Sequence, residues 1–325
     1  MQHTENGHIE FVAARKVFGD VVAVDDLTLS VAPGETVVLL GPSGCGKSTS
    51  LQLVNRMLEL DGGSVLVNGA DVREADPVDL RRSIGYVIQQ VGLFPHRTVA
   101  QNIGTVCTLL GWDRTRTRVR VAEMMDMVGL EPGTYAGRYP AELSGGQQQR
   151  VGVARALATS PSTLLMDEPF GALDPVIRRQ LQGDFRRWVR DLGTTVIFVT
   201  HDVDEAVTVG DRMVVLGTAS RIEQAGRPLD VMARPASPAV AAFLGSDSLL
   251  RALSVIPVTS ALSTAPGADL TRTLPRDASA HDALSLLLRD GGDALTIVGA
   301  DGQPIGSVDW ESLRSAARAA QEDQT

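Results

Sequence analysis

Between Ile9 and Val31 apolar and polar positions alternate around turn signals at Gly19–Asp20 and Asp25–Asp26, the period-two pattern of antiparallel strands. Pro33–Glu35 interrupts that run. TVVLL follows, an unbroken apolar strand of the kind buried on both faces of a parallel sheet, and then GPSGCGKST and a helical stretch from Ser50 to Leu60. Further on, RVGVARALA reads as a helix, and STLLMDE and TTVIFVTHD read as two more buried strands. Past Phe243 the composition shifts to Ala, Ser, Thr and Pro until about Gly267, which reads as a linker or a degraded element. ADLTRTL, ALTIVG and PIGSVDW are then predicted strands, and ASAHDALSLLLRD and ESLRSAARAA predicted helices. The pattern predicts an α/β domain over 1–245, a linker over 246–269 and a small α+β module over 270–325.

Composition narrows the functions open to such a chain. Its 325 residues can bury a large core, and a hydrophobic fraction of 43% is ordinary for a globular protein. A formal net charge of -9 argues against nucleic acid as a partner. The two cysteines, Cys45 and Cys107, and an N-terminus without a basic-then-apolar leader pattern predict a reduced, cytoplasmic setting. ALSVIPVTSALSTAPGA, in the tail, is too rich in Ser, Thr and Pro to span a bilayer. Any membrane role therefore requires a partner.

The chemistry sits where predicted strands end. Gly41, Pro42, Ser43, Gly44, Cys45, Gly46, Lys47, Ser48 and Thr49 form the G-x-x-x-x-G-K-[ST] loop between a strand and a helix, the context its mechanism needs. The glycines let backbone N–H groups curl around phosphate oxygens at a helix N-terminus; Lys47 is placed to bridge the β- and γ-phosphates and Ser48 to reach Mg²⁺. STLLMDE delivers Asp167, for the metal shell, and Glu168, for the attacking water, to the same sheet edge. TTVIFVTHD delivers His201 there, facing the γ-phosphate or the water. The expected fold is that of a P-loop NTPase and the expected ligands are ATP and Mg²⁺.

LSGGQQQR adds a second feature. Ser144 is a plausible N-cap for the RVGVARALA helix, and Gly145 and Gly146, followed by Gln147, present bare N–H groups at its start. A second anion-binding helix end with no second lysine loop makes sense if it completes the nucleotide site of another copy. The expectation is a head-to-tail homodimer with ATP between the copies.

These motifs together resemble the nucleotide-binding subunit of an ABC transporter over roughly residues 9–245, which implies an ATPase core with a helical subdomain and an antiparallel β subdomain. The resemblance implies that Phe18 stacks on adenine. It implies that Gln89, with neighbouring Gln90 as the alternative position, contacts Mg²⁺ or water and signals to a membrane permease. It also implies that Asp174, in the stretch Ala172–Asp174, runs along the dimer interface. DPVDLRRSIGYVIQQVGLFPHRTVAQNI is similar to ATPases of importers of glycine betaine, choline and carnitine, whose solute is bound by an external receptor and a permease. Importers of amino acids or other small polar solutes are the alternative. A non-transport ATPase of the superfamily would carry two such domains or a long coiled coil between its phosphate motifs, and neither is present in these residues.

The last module resembles a single cystathionine-β-synthase (CBS) repeat, a size that buries too little surface to be comfortable alone and implies pairing with its copy on the second subunit. Asp309 and Ser312 fall where nucleotide-binding relatives hold ribose and phosphate. A carboxylate there repels phosphate, so adenosine ligands are not expected at the module.

Overall fold

A computed structural model describes residues 7–89, 92–171, 173–245, 253, 256–263, 272–290 and 292–322. Close contacts divide the chain into two compact units, Met1–Glu223 and Gln224–Thr325.

The first unit begins with β1 (Ile9–Phe18) and β2 (Val21–Val31), joined by a tight turn at Gly19–Asp20. The second predicted turn, at Asp25–Asp26, is instead a bulge inside β2. Ala14 pairs with Leu27 and Lys16 with Val24, so one residue of β1 faces two of β2, and Asp26 takes φ 53° to absorb the extra residue. β3 (Thr36–Leu40) follows, all five residues buried, and then α1 (Lys47–Val54). The sequence pattern extended this helix to Leu60. It stops earlier because the Asn55 side chain accepts the Met57 N–H and Arg56 turns to φ 53°. β4 (Gly62–Val67) and β5 (Ala70–Asp71) complete an antiparallel sheet of order β2-β1-β4-β5.

Next come α2 (Pro77–Ser83) and β6 (Ile84–Val87), and then a helical part: α3 (Val99–Ile103), α4 (Thr105–Leu109), α5 (Arg114–Met127), α6 (Pro132–Tyr135) and α7 (Gly145–Leu157). β7 (Thr163–Asp167), α8 (Pro175–Leu192), β8 (Thr195–Thr200), α9 (Val203–Val209) and β9 (Arg212–Leu216) follow. With β10 (Ile222–Gly226), which begins in this unit, they make a sheet of order β10-β9-β3-β8-β7-β6, parallel at every pairing from β9 to β6. β3, β8 and β7 are therefore neighbours, and their carboxyl ends lie side by side. One apolar core joins the two sheets through α1, with Phe11, Leu39, Leu51, Leu165 and Ile197 wholly buried. Burial at that depth contributes about 1.5–3 kcal/mol per large side chain.

The second unit holds α10 (Pro228–Ala233), α11 (Pro238–Leu244), β11 (Thr273–Pro275), α12 (Ala280–Asp290), β12 (Ala294–Val298), β13 (Pro304–Asp309) and α13 (Trp310–Glu322). Its sheet has the order β11-β12-β13, parallel then antiparallel, and the strand-helix-strand-strand-helix succession follows the sequence pattern. Most of ADLTRTL lies outside the described residues. Two boundaries differ from those set by composition. The contact division falls inside β10, before the expected break at 245, because Leu229 of α10 packs on the core of the C-terminal module. The expected linker is also partly built in: Ile256, Val258 and Ala261 are buried in that core, and Ser263 pairs with Ser307. Asp309 and Ser312 are occupied with each other at the start of α13. The Ser312 N–H donates to Asp309 Oδ1 at 2.7 Å and the Asp309 N–H to Ser312 Oγ at 2.9 Å.

Candidate active site

The loop after β3 is built on glycines that cannot be replaced without displacement. Gly46 takes φ 108°, and a Cβ there would lie 2.2 Å from Ser220 Oγ and 2.3 Å from the Ala23 carbonyl. A Cβ on Gly41 would meet the Leu216 carbonyl at 2.4 Å. The Lys47 side chain is buried against the loop and donates to the carbonyls of Gly41 at 2.7 Å and Pro42 at 2.9 Å. Cys45 is buried beneath it with its Sγ 3.9 Å from Lys47 Nζ; Cys107 is also buried, and both thiols are free. Burial pushes the Cys107 thiol above its ordinary range.

From β7 and β8 come the acids and the imidazole. The Ser48 hydroxyl donates to Asp167 Oδ1 at 2.9 Å. Burial raises the Asp167 carboxyl above its usual range, Glu168 adds to that rise, and the Ser48 bond and the Lys47 charge oppose it. Glu168 takes φ 43°, a left-handed conformation that costs a residue with a side chain about 1–3 kcal/mol. In that conformation its N–H donates to the Val199 carbonyl at 2.9 Å, while its side chain turns outward between two partners. His201 Nδ1 stands 3.0 Å from Glu168 Oε1, and Gln89 Nε2 donates to Glu168 Oε2 at 3.0 Å. Phe170, just after Glu168, anchors this turn against Phe198 of β8 and Phe185 of α8, at ring centroid distances of 5.8 and 6.1 Å.

Ser43, Gly44, Gly46, Lys47, Ser48, Thr49, Gln89, Glu168 and His201 thus line one cleft of about 500 Å³. Ala23 lines it too, a residue with no motif to mark it. Phe18 ends β1 with its ring half-exposed and Lys16 Nζ 5.4 Å from the ring centroid; it does not line the cleft. Gln90 and Ala172 lie outside the described residues. Among the described residues no group of three or more His, Cys, Asp and Glu could by itself hold a metal ion.

Ser144, Gly146 and Gln147 are elsewhere. They line a separate cleft of about 690 Å³ with Tyr135, Ile177 and Asp184. Ser144 caps α7 reciprocally: the Gln147 N–H donates to Ser144 Oγ at 3.3 Å, and the Ser144 N–H to Gln147 Oε1 at 3.0 Å. A Cβ on Gly146 would be 2.6 Å from Ile177 Cγ2, so α7 and α8 touch there, while Gly145 is open apart from Leu173. Asp174 caps α8, accepting from the Val176 and Ile177 N–H groups, and lines neither cleft. One chain therefore does not bring its two anion-binding helix starts into one cleft.

Residues 24–171 match the family described as ABC transporter. The glycine betaine uptake system ATP-binding protein YehX of Escherichia coli (strain K12) is 45% identical over 306 residues, covering 94% of this chain and 98% of that protein. The glycine betaine/carnitine/choline transport ATP-binding protein OpuCA of Bacillus subtilis (strain 168) is 43% identical over 296 residues, covering 91% of this chain and 76% of that protein. A dimeric ATP-binding cassette solved in a post-hydrolysis state bound to ADP and Pi is 31% identical. It superposes with a TM-score of 0.61, covering 68% of this chain and 98% of that one.

Proposed function

The chain belongs to the ATP-binding subunits of ABC transporters and hydrolyses ATP, and from that membership we propose that it drives import of a quaternary-ammonium osmoprotectant: glycine betaine, carnitine or choline. The solute reading is carried by near-full-length similarity to a glycine betaine uptake ATPase. It is supported by a cleft lined by Lys47, Ser48, Glu168 and His201, with Asp167 behind it accepting the Ser48 hydroxyl at 2.9 Å.

Phosphates enter at the start of α1, where the N–H groups of the glycine loop meet them and Lys47 exchanges its Gly41 and Pro42 carbonyls for phosphate oxygens. The Ser48 hydroxyl and the Asp167 carboxylate fit Mg²⁺, a hard cation that keeps waters and phosphate oxygens and needs only one or two protein oxygens. When bound, the cation neutralises charge on the phosphates. Glu168 receives the proton of the attacking water, held between His201 and Gln89. Phe18 stacks on adenine. Ser144, Gly145, Gly146 and Gln147 of a second copy close the γ-phosphate side, with Asp174 at the same interface.

No helix among the described residues is long and apolar enough to cross a membrane. Membership among importer ATPases supports assigning the solute path to a separate permease, which we propose is fed by an external solute-binding protein. The subunit sits peripherally on the cytoplasmic face. We assign permease docking to a groove of about 900 Å³ lined by Phe94, Arg97, Leu109, Trp112 and Arg118, because it exposes the large apolar side chains of Phe94 and Leu109 beside two guanidinium groups. The ATPase set lies before residue 245, and the C-terminal module, read as a CBS-like repeat, biases the transporter through contact with its copy.

The test is uptake of radiolabelled betaine, carnitine and choline into vesicles holding this chain and the permease that co-purifies with it. Uptake of at least one of the three, and loss of co-purification in Leu109→Glu, are expected. Uptake of none, or undiminished co-purification, refutes the solute or the docking reading respectively. Deleting residues 246–325 should keep ATP hydrolysis and shift the response of uptake to internal ionic strength a few-fold, about 1 kcal/mol of coupling. An inactive deletion makes the module structural, and an unchanged response removes its regulatory role.

A further inference from the structure

Beneath the cleft lies a polar connection that no motif marks. Arg178 sits on α8, one turn after the Asp174 cap. Its Nη1 donates to Asp202 Oδ2 at 3.3 Å, and its Nη2 donates to the carbonyls of Gly171 at 3.3 Å and Leu173 at 3.1 Å. Asp202 follows His201 directly. Its other oxygen caps α9, accepting from the N–H groups of Asp204 at 2.8 Å and Glu205 at 3.4 Å. On the other side, the Gly171 N–H donates to the Glu168 carbonyl at 3.3 Å. The loop after β7 and the loop after β8 are thus joined twice. Above, Glu168 meets His201 side chain to side chain; below, one guanidinium holds Gly171 and Asp202 together.

We propose that Arg178 is a positioning residue for ATP hydrolysis, fixing the spacing of Glu168 and His201 by tying together the two loops that carry them. The inference rests on the reading that Glu168 and His201 act on the attacking water. A guanidinium suits the task because it is planar, permanently charged and donates in a fixed fork, so one group sets the distance between a carboxylate and two carbonyls. Its Nε is buried without a hydrogen-bond partner, so the side chain is aimed at the loops at the expense of one of its own donors. Stability alone does not single out this arrangement: Arg178 and Asp202 are each 27% exposed, so solvent partly screens their ion pair, and α8 is already held by buried Leu181, Phe185, Trp188 and Val189.

The test compares Arg178→Gln, Arg178→Lys, Asp202→Asn and the double variant Arg178→Gln/Asp202→Asn in the full chain, by ATP turnover, ATP binding and melting temperature. Arg178→Gln should lower kcat about tenfold to a hundredfold, the scale of a small misplacement of reacting groups, with KM and ATP binding within about twofold. Arg178→Lys should recover part of the rate, keeping the Asp202 charge pair but losing the fork. The double variant should be no slower than the slower single, because both cut one connection. Arg186→Gln, on the solvent side of the same helix, should leave turnover unchanged. A kcat for Arg178→Gln within about twofold of the unaltered protein overturns the inference, as does a loss of kcat matched by a loss of ATP binding or melting temperature. Glu168→Gln, run alongside, separates the two levels. If it hydrolyses ATP normally the reading of the site fails and the inference with it; if it is slow while Arg178→Gln is fast, only the inference fails.

Discussion

Glu205 is 2% exposed and carries a carboxylate into the interior. It accepts from the Thr200 hydroxyl at 2.6 Å and from Gln182 Nε2 at 3.3 Å. Burial raises its carboxyl above the ordinary value of 4.5, and Asp202 adds to the rise; the Thr200 bond, Arg178 and Gln182 oppose it. The folded protein therefore binds this proton more tightly than the unfolded chain. Between 4.5 and the raised value stability falls as pH rises, and above that window the whole cost of the buried charge is present. Glu205→Gln keeps the shape and removes the charge, so at neutral pH it should melt higher than the unaltered protein, by about 2–4 °C for each kcal/mol recovered. The gain should vanish once the pH drops below the ordinary carboxyl value. Melting curves that differ equally at all pH values would contradict this. Residues of this kind were not legible in the sequence, because Glu205 and Arg178 take their meaning from partners on other elements. Lys47, Ser48 and Glu168 were legible because the chemistry fixes their spacing along the chain or their place at a strand end.

At the scale of elements, α7 and α8 meet through Gly146, where a Cβ would stand 2.6 Å from a methyl group of Ile177. That methyl is branched at Cβ and cannot swing away, so Gly146→Ala forces the helices apart and should cost about 1–3 kcal/mol. Ile177→Ala in the same chain should return part of the loss, and denaturant unfolding of the two singles and the double checks it. A double variant no more stable than Gly146→Ala would mean that the contact is not what excludes the side chain. The buried strands β3, β7 and β8 could be read from short continuous apolar runs, rich in Val, Leu, Ile and Thr and bounded by turn or charged residues. Their limits could not be read so well. The bulge at Asp26 looks like a turn to any rule that scores Asp pairs, and the Asn55 stop of α1 depends on one side-chain bond to the backbone. Ile256, Val258 and Ala261 read as linker because they lie in a stretch dominated by Ala, Ser, Thr and Pro, although all three are buried.

At the scale of the molecule, the proposed function gives each chain two half-sites. The glycine loop, Glu168 and His201 share one cleft, and the capped start of α7 lines another. The relative solved with ADP and Pi is a dimer, and a second copy is what this account requires to complete each site. Lys47→Ala damages one half and Ser144→Arg the other, by placing a bulky charge where the second copy's γ-phosphate belongs. Each variant alone should be inactive, while Ser144→Arg should still bind ATP through Lys47. The decisive measurement is ATP turnover by an equal mixture of the two. If half the dimers are mixed and each has one undamaged site, the mixture should recover about a quarter of the unaltered rate. A mixture as inactive as its components, or a Ser144→Arg chain that cannot bind ATP on its own, would show that the two half-sites do not meet across a dimer.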